Sequence, residues 1–201
     1  MKIFCIGRNY ALHAQELNNE IPEKPLVFMK PPTALLKGDK PFYYPEFSKN
    51  IHFEGELVVR ICKNGKHIQE KFAKKYYDQV TLGLDLTARD LQNELKSKGH
   101  PWEIAKGFDG SAVIGSFVPL AGDLSDISFT IRKNNEIVQN GYCQDMLFSI
   151  DYLISYISQF FMLQTGDLIY TGTPAGVGPI EIGDVFEGFL QEKRLFLTQI
   201  K

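Results

Sequence analysis

Apolar and polar residues alternate along residues 52–60, His-Phe-Glu-Gly-Glu-Leu-Val-Val-Arg, and this period of two predicts a β-strand. Side chains two positions apart on a strand point to the same face, so Glu54 and Glu56 are expected side by side. A third carboxylate, Asp85, closes the apolar run that begins at Thr81. The pattern therefore predicts three carboxylates at strand positions.

Three segments carry helical patterns. A short helix is predicted over about residues 10–17. A second is predicted to begin at Thr87-Ala-Arg-Asp90, which resembles a capping box with Asp in place of the usual Glu or Gln, and to end at Gly99. A third begins near Ser149, where apolar residues recur at helical spacing, and is predicted to end near residues 165–167.

The rest of the chain shows short apolar segments separated by glycine, proline and asparagine turns. Asn134-Asn135 fits a hairpin turn between two of them. The predicted strands are residues 2–6, 26–29, 128–133, 136–141, 167–170, 184–190 and 195–200. Because strands dominate and do not alternate regularly with helices, we predict a β-rich α+β fold with a few short helices.

Composition narrows the class of protein. The 201 residues fit a single domain, residues 1–201. A net charge of −2 gives no general attraction to nucleic acid or to an anionic membrane. The start of the chain has too short an apolar stretch for a signal peptide, and no segment approaches membrane-spanning length. The 3 cysteines are scattered and fit reduced cytosolic thiols, so a cytoplasmic protein is expected.

The three carboxylates admit two interpretations. Charged side chains are rarely buried unless they are paired or bind a metal, and oxygen ligands suit a hard divalent cation such as Mg²⁺ or Mn²⁺. A solvated strand face explains the same spacing, so both interpretations stay open on these residues alone. His52 shares the predicted face of Glu54. It is a candidate fourth ligand, but a hydrogen-bonding partner of the ligands is the better interpretation because Mg²⁺ prefers oxygen.

Two further groups are candidates for proton transfer and charge stabilisation. His13 and Glu16 lie three residues apart on the first predicted helix, which places them on one face. A carboxylate beside an imidazole orients it and raises its pKa, which makes a better general base. Lys106 is expected at a strand-to-loop junction, where it would stabilise an oxyanion. The alternatives are that His13 and Glu16 are surface residues without a function and that Lys106 forms a surface salt bridge.

A loop rich in glycine, threonine and proline follows the predicted strand at residues 167–170. Its sequence is Thr171-Gly-Thr-Pro-Ala-Gly-Val-Gly178. Glycines let backbone amides approach a ligand, and threonine hydroxyls add donors, so the loop is predicted to bind a carboxylate. It lacks the Gly-Lys-Ser/Thr ending of a P-loop and the helix that follows a dinucleotide fingerprint. A tight structural turn is the alternative.

Several motifs in this order resemble the fumarylacetoacetate hydrolase family over essentially the whole chain. They are Gly7-Arg-Asn-Tyr-x-x-His13-x-x-Glu16, Phe28-x-Lys30-Pro31, His52-x-Glu54-x-Glu56-Leu57, Asp85-Leu-Thr-Ala-Arg89-Asp90-x-Gln92, Lys106-Gly-Phe-Asp109 and Thr171-Gly-Thr-Pro-x-Gly-Val-Gly178. The chain looks closest to the short acylpyruvate hydrolase and oxaloacetate decarboxylase type. One departure is the glycine between the two glutamates, where a larger apolar residue is frequent.

The resemblance implies a fold, a metal and an assembly. The fold would be a β-rich roll of mixed sheets, often paired as a homodimer. Mg²⁺ or Mn²⁺ would be held by the residues that match the family's ligands, Glu54, Glu56 and Asp85.

The resemblance also implies a reaction, in which the C3–C4 bond of a 2-oxo acid is broken and the enolate of pyruvate is formed. His13 and Glu16 would activate water, Lys106 would stabilise an oxyanion, and the candidates for gripping substrate oxygens are Arg8, Gln92 and Thr173. Residues 1–45 are expected to form an N-terminal lid over the site entrance, with residues 10–36 ordering over bound ligand. An isomerase of the 2-hydroxyhepta-2,4-diene-1,7-dioate type and a metal-binding domain without turnover remain alternatives.

Overall fold

A computed structural model describes residues 1–16, 20–120, 122 and 124–201. The strands are β1 Ile3–Gly7, β2 Leu26–Lys30, β3 Leu35–Lys37, β4 Ile51–Phe53, β5 Gly55–Ile61, β6 Tyr77–Asp85, β7 Thr87–Ala88, β8 Ala112–Ile114, β9 Val118–Pro119, β10 Ser128–Lys133, β11 Glu136–Tyr142, β12 Leu168–Tyr170, β13 Gly178–Pro179, β14 Val185–Leu190 and β15 Lys193–Gln199. The α-helices are α1 Ala11–Glu16, α2 Arg89–Lys98, α3 Glu103–Lys106 and α4 Ile150–Phe160. The predicted β-rich α+β fold with few short helices is confirmed.

The strands form three sheets in the described part of the chain. The largest has the order β2-β1-β12-β5-β6-β8-β3, and β9 also pairs with β6. It is mixed, because β1 runs parallel to β12 and β3 parallel to β8, whereas the other pairs are antiparallel. A four-stranded antiparallel sheet has the order β11-β10-β14-β15, and a small third sheet has the order β13-β4-β7.

Strand β5 runs through the middle of the core. Its residues Leu57, Val58 and Val59 are all fully buried. Leu57 and Val59 belong to the main apolar cluster, whereas Val58 faces a smaller cluster that includes Tyr170. A strand that is covered on both faces reads as a continuous apolar run. Any carboxylate carried by this strand is therefore buried and requires polar partners.

The N-terminal segment is partly built into the main sheet. Strands β1 and β2 pair along their whole length, and β1 also pairs with β12 in the centre of the sheet. A lid formed by residues 1–45 would therefore have to leave both strands in place. The predicted first helix is found as α1, but residues 17–19, which the helix and lid predictions include, lie outside the described residues.

The helix boundaries correct two predictions. Thr87 is not an N-cap: it pairs with His52 between β7 and β4, and α2 begins at Arg89 without a side-chain cap. Gly99 ends α2 in the left-handed conformation, as predicted. The Ser149 hydroxyl accepts from the Tyr152 amide and caps α4, but α4 ends at Phe160 because the chain becomes extended at Phe161.

The predicted hairpin at residues 134–135 is confirmed. Asn134 and Asn135 have φ of 53° and 70°, and they connect β10 to β11. Asparagine tolerates this left-handed conformation better than most residues, which explains why the sequence signal was informative here. In the described part of the chain, no helix has both the length and the apolar character needed to cross a bilayer.

Candidate active site

Glu54 lies at a break between two sheets. The single strand predicted over residues 52–60 is instead two strands: β4 ends at Phe53 in the small sheet and β5 begins at Gly55 in the main sheet. Asp85 ends β6, and its amide donates to the Glu54 carbonyl at 2.8 Å. The break and the strand end bring the three carboxylates together, and ligand atoms of Glu54, Glu56 and Asp85 lie within 4.8 Å of one another.

Gly55 allows this break because a neighbouring strand approaches its Cα closely. A Cβ at this position would lie 2.3 Å from Ile131 Cγ1 and 2.8 Å from Gln139 Oε1. The Gln139 side chain accepts from the Gly55 amide at 2.8 Å and donates to Thr173 Oγ1 at 2.8 Å. The glycine between the two glutamates therefore accommodates a buried glutamine that connects the carboxylate strand to the loop at residues 171–178.

All three carboxylates are buried, which excludes the alternative of a solvated strand face. Lys106 Nζ donates to Glu54 Oε2 at 2.8 Å and to Asp85 Oδ2 at 2.9 Å. Arg89 donates to the other oxygen of Glu54. Burial alone would raise the pKa of Glu54, but Lys106 and Arg89 outweigh burial and hold it well below its ordinary value. Burial would lower the pKa of Lys106, but Asp85 and Glu54 keep it raised.

Lys30 is a second lysine in contact with this cluster. Its side chain is fully buried, and its Nζ lies 2.6 Å from Asp85 Oδ1. The same ammonium donates to the carbonyls of Leu86 at 3.1 Å and Ser111 at 2.8 Å. Asp85 Oδ1 therefore has the Lys30 ammonium as its partner, and Asp85 Oδ2 has that of Lys106.

Glu56 is the carboxylate with the least compensation. It accepts from the Gly172 amide at 2.7 Å, and within the described ranges it forms no ion pair. Burial and the neighbouring carboxylates of Asp85 and Glu54 raise its pKa well above the ordinary value. A buried acid held beside two others is stabilised by a cation at the point where they meet.

The arrangement fits a divalent metal ion. Three buried carboxylates converge on one point, and one of them, Glu56, has no cationic partner among the described residues. Oxygen-only donors suit Mg²⁺ or Mn²⁺. His52 does not join the ligand set: the ligand atoms that converge among the described residues belong to the three carboxylates, and His52 Nε2 lies 3.0 Å from Asn50 Oδ1. Burial, followed by the nearby Arg89, lowers the pKa of His52 to about 4.

His13 and Glu16 lie together on α1, as predicted. His13 Nδ1 is 3.3 Å from Glu16 Oε2, and the imidazole is buried whereas the carboxylate is partly exposed. Glu16 raises the pKa of His13, as predicted, but it does not determine the net shift. Burial lowers this pKa and outweighs the opposing effects of Glu54 and Glu16. His13 is therefore neutral at pH 7 and able to accept a proton.

The loop at residues 171–178 uses its amides on carboxylates of the protein itself. Gly172 donates to Glu56, and the Gly176 amide donates to Glu16 at 3.0 Å. Both glycines are left-handed, with φ of 101° and 100°. The Thr173 hydroxyl donates to the Gly55 carbonyl at 2.8 Å and accepts from Gln139. The loop therefore positions one carboxylate of the cluster and the acid–base pair at the same time.

A single cleft brings most of the predicted site residues together. Its walls include His13, Lys106, Glu54 and Glu56, together with the three predicted substrate-binding residues Arg8, Gln92 and Thr173. Asp85 and Glu16 are not among the lining residues, but they contact two that are, Lys106 and His13. Lys106 ends the short helix α3 and not a strand, which corrects the predicted junction.

Sequence reasoning assigned no role to Lys30 and Arg89. Both residues belong to the motifs that resemble the family. Lys30 also closes an apolar run, where a charged residue is unusual, and these two features were the available signal. Their partners, Asp85 and Glu54, are 55 and 35 residues away along the chain, and local patterns do not reveal such pairings.

Comparison with known proteins agrees with this geometry. The family profile described as "Fumarylacetoacetate (FAA) hydrolase C-terminal" matches residues 2–199. A protein named "Oxaloacetate decarboxylase, mitochondrial" from Dictyostelium discoideum is 43% identical over 189 residues, which cover 92% of this chain and 87% of the relative. "Oxaloacetate tautomerase FAHD1, mitochondrial" from Mus musculus is 43% identical over 187 residues, covering 92% and 85%.

A solved structure is also similar over the whole chain. It is the crystal structure of fumarylpyruvate hydrolase from Pseudomonas aeruginosa in complex with Mn²⁺ and pyruvate. The TM-score is 0.94 and the identity 35%, with coverage of 100% of this chain and 89% of that chain.

The β-rich fold and the three-carboxylate centre together define a metal-dependent enzyme. The chain belongs to the fumarylacetoacetate hydrolase family, as the motif order predicted.

Proposed function

We propose that this chain cleaves the C3–C4 bond of a 2-oxo acid and releases pyruvate, with Mg²⁺ or Mn²⁺ held by Glu54, Glu56 and Asp85. The observation that carries the proposal is that a neutral, buried imidazole and the carboxylate cluster face the same cleft. When bound, the ion would supply Lewis-acid stabilisation of the negative charge that develops on the 2-oxo oxygen. The names of the relatives, a decarboxylase, a tautomerase and a hydrolase, all describe chemistry of 2-oxo acids.

His13 is the proposed base for hydrolysis. Glu16 binds Nδ1 of the imidazole and leaves Nε2 for the water. His13 takes one proton from this water, and the water oxygen bonds to the distal carbonyl carbon. The C3–C4 bond then breaks, its electron pair forms the enolate of pyruvate, and a proton returned to C3 gives pyruvate and a carboxylic acid.

Lys106 is the proposed electrostatic partner of the substrate. An ammonium has three donors, and two of those of Lys106 are used by Glu54 and Asp85. The third is available for the oxyanion that forms on the attacked carbonyl. Because the ammonium is buried and fixed by two carboxylates, it needs little reorganisation as the charge develops.

A proton shift on oxaloacetate is the second candidate function, and the relative from Mus musculus named a tautomerase favours it. The same His13 would move a proton between C3 and the 2-oxo oxygen without an attacking water. Decarboxylation of oxaloacetate would break C3–C4 with loss of CO₂, followed by protonation of the same enolate.

A substrate panel tests the proposal. Purified protein with Mn²⁺ is offered acetylpyruvate, fumarylpyruvate and oxaloacetate. We expect at least one of them to be consumed in a metal-dependent reaction that ends after addition of a chelator. Acid plus pyruvate identifies hydrolysis, CO₂ plus pyruvate identifies decarboxylation, and keto–enol exchange without bond loss identifies the tautomerase. No change in any of these compounds would refute hydrolysis, decarboxylation and tautomerisation alike.

The homodimer and the cytoplasmic location remain predictions. A homodimer would appear at about twice the chain mass of 22.8 kDa in light scattering. A particle of one chain mass at the concentrations used for assay would contradict it.

A further inference from the structure

Two cations from separate elements line the same cleft as Glu54 and Glu56. Arg8 lies in the turn between β1 and α1, and Lys96 lies near the end of α2. Resting on the proposed function, we infer that Arg8 and Lys96 form a subsite for the second carboxylate of the substrate, so that the preferred substrates are 2-oxo diacids and not 2-oxo acids with a neutral tail. The family resemblance suggested Arg8 as a substrate contact without naming its target, and Lys96 matched none of the motifs.

The geometry of α2 places Lys96 in the cleft. Arg89, Gln92 and Lys96 are three and four residues apart, so they form one stripe along the helix. All three line the cleft. Arg89 is committed to Glu54 and also donates to Gln92 at 2.6 Å. Lys96 therefore lies seven residues along the helix from Arg89, which contacts the carboxylate cluster.

The backbone of Arg8 supports a functional role for this residue. It has φ of 58°, a left-handed conformation that costs a residue with a Cβ about 1 kcal/mol or more. The conformation turns the chain sharply between β1 and α1, and Arg8 lines the same cleft as Lys96. The chain keeps an arginine where glycine would relieve the backbone cost.

The electrostatic surroundings indicate that the two cations lie close enough to affect one another. Desolvation and then the charge of Arg8 lower the pKa of Lys96, and Arg89 acts in the same direction. The opposing effect of Glu54 is smaller. Like charges that line one cleft attract an anion and hold it when it arrives.

The chemistry at the two ends of the cleft is complementary to a diacid. The 2-oxo acid end would meet the three-carboxylate centre, and the far end would meet Arg8 and Lys96. A cation pair that holds a carboxylate opposes its loss as CO₂, because the bound group would lose its charge. The subsite therefore favours diacids whose second carboxylate survives the reaction, as in hydrolysis of a diacid such as fumarylpyruvate or in tautomerisation of oxaloacetate.

A matched pair of stable ligands tests this inference without turnover. 2-Oxoglutarate and 2-oxopentanoate have the same 2-oxo acid end, and they differ by a distal carboxylate in place of a methyl group. We expect the Mn²⁺-loaded protein to bind 2-oxoglutarate about tenfold more tightly in calorimetry, which corresponds to one charge-assisted contact. Equal affinities for the two ligands would overturn the inference.

Variants then assign the preference to the two residues. Lys96→Gln and Arg8→Gln should each remove most of the preference for 2-oxoglutarate while leaving the affinity for 2-oxopentanoate unchanged, and Lys96→Arg should retain it. Lys98→Gln is the matched control, because Lys98 lies on the same helix, is exposed and pairs with Glu94 at 2.6 Å. A preference that survives both substitutions, or one that Lys98→Gln also removes, would assign it to some other group.

The two proposals fail differently. If no substrate of the panel is consumed but the preference for 2-oxoglutarate is present and depends on Lys96, the proposed reaction is wrong and the diacid subsite stands. If acetylpyruvate and fumarylpyruvate are consumed with the same kcat/KM, and Lys96→Gln changes neither, the reaction stands and the subsite is wrong.

Discussion

The two halves of the candidate active site are built in different ways. The carboxylates Glu54, Glu56 and Asp85 lie on or between strands that pair through the centre of the main sheet. The proposed acid–base residues His13 and Glu16 lie on α1, a helix of 6 residues. A helix this short is not stable by itself, so contacts with the rest of the protein must hold it. The comparison indicates a preorganised carboxylate cluster and a His13–Glu16 pair whose position depends on contacts outside its own helix.

Hydrogen bonds to other parts of the protein hold both ends of α1, and His13 and Ala14 are buried between them. Before the helix, the buried Asn9 donates to the carbonyls of Thr171 at 2.8 Å and Phe148 at 3.1 Å. At its last residue, Glu16 accepts from the Gly176 amide. Both ends therefore contact the loop at residues 171–178, which also donates to Glu56. This loop couples the two halves of the site, and substitutions can separate what each half contributes.

The largest expected effect is on the strand half, from Glu56→Gln. The substitution keeps the shape of the side chain but removes its ability to ionise and bind a cation, at the one carboxylate of the cluster without a cationic partner among the described residues. Because a bound ion contributes several kcal/mol to catalysis, we expect activity to fall by about 10³-fold or more, and Mn²⁺ affinity by about 100-fold or more. Calorimetric titration with Mn²⁺ measures the second value, with a substitution of the exposed first residue of α3, Glu103→Gln, as the control. Unchanged Mn²⁺ affinity would remove Glu56 from the ligand set.

The next effect is on stability, from Lys30→Met beneath the same carboxylates. The substitution leaves Asp85 Oδ1 and two carbonyls in the interior without the ammonium that they contact. Removing one member of a buried ion pair typically costs about 3–5 kcal/mol. Urea unfolding in the presence of a chelator should show a loss of this size for Lys30→Met, and almost none for the exposed Lys37→Met. A loss below about 1 kcal/mol would mean that Lys106 alone compensates Asp85.

The strand half of the site could largely be predicted from sequence, although not its architecture. Glu54, Glu56 and Asp85 were found because alternation and an apolar run give strand positions directly. The break at Glu54 was missed because β4 and β5 carry a continuous alternating pattern. Only their partners, distant in sequence, place them in different sheets. Thr87 was misread as a helix cap for the same reason, since its strand pairing with His52 is non-local.

The helix half could be predicted in position but not in its electrostatics. Spacing alone placed His13 and Glu16 on one face of a helix, and the structure confirms the contact. The direction of the pKa shift of His13 was missed because burial outweighs the neighbouring carboxylate, and burial depends on the tertiary fold. The amides that bind Glu16 and Glu56 were signalled by the glycines of the loop, but the sequence did not reveal that both carboxylates belong to the protein.

His13→Ala should separate chemistry from metal binding. Loss of a general base typically costs about 10²- to 10³-fold, so we expect hydrolysis of the best panel substrate to fall by this factor. Mn²⁺ affinity should stay within about twofold, because His13 is not a member of the carboxylate cluster. The two measurements are made on the same preparation. A large loss of Mn²⁺ affinity would show that the helix half also supports the metal centre, and an unchanged rate would exclude His13 as the base.

The smallest effect, and the sharpest test of the coupling between the halves, is Glu16→Gln. Glu16 raises the pKa of His13, whereas burial lowers it below the ordinary value of 6.5. His13 therefore stays neutral as the pH falls through 6.5, and the acid limb of kcat/KM should lie below that pH in the wild type. Without the charge of Glu16 this pKa falls further, so the limb of Glu16→Gln should move to still lower pH. The rate on the plateau should fall by about tenfold, because the imidazole is less well oriented.

The lowered pKa of His13 also makes a contribution to the pH dependence of the free energy of unfolding. Because the pKa of folded His13 is below that of the unfolded chain, the unfolded state binds its proton first as the pH falls, and stability decreases below about pH 6.5. Glu16→Gln should make this decrease in stability larger, whereas His13→Ala should remove the part of the decrease that is due to His13. Urea unfolding at pH 7.5 and 5.5 measures both. An acid limb that moves to higher pH in Glu16→Gln would contradict the assignment of Glu16 as the partner that raises the pKa of the base.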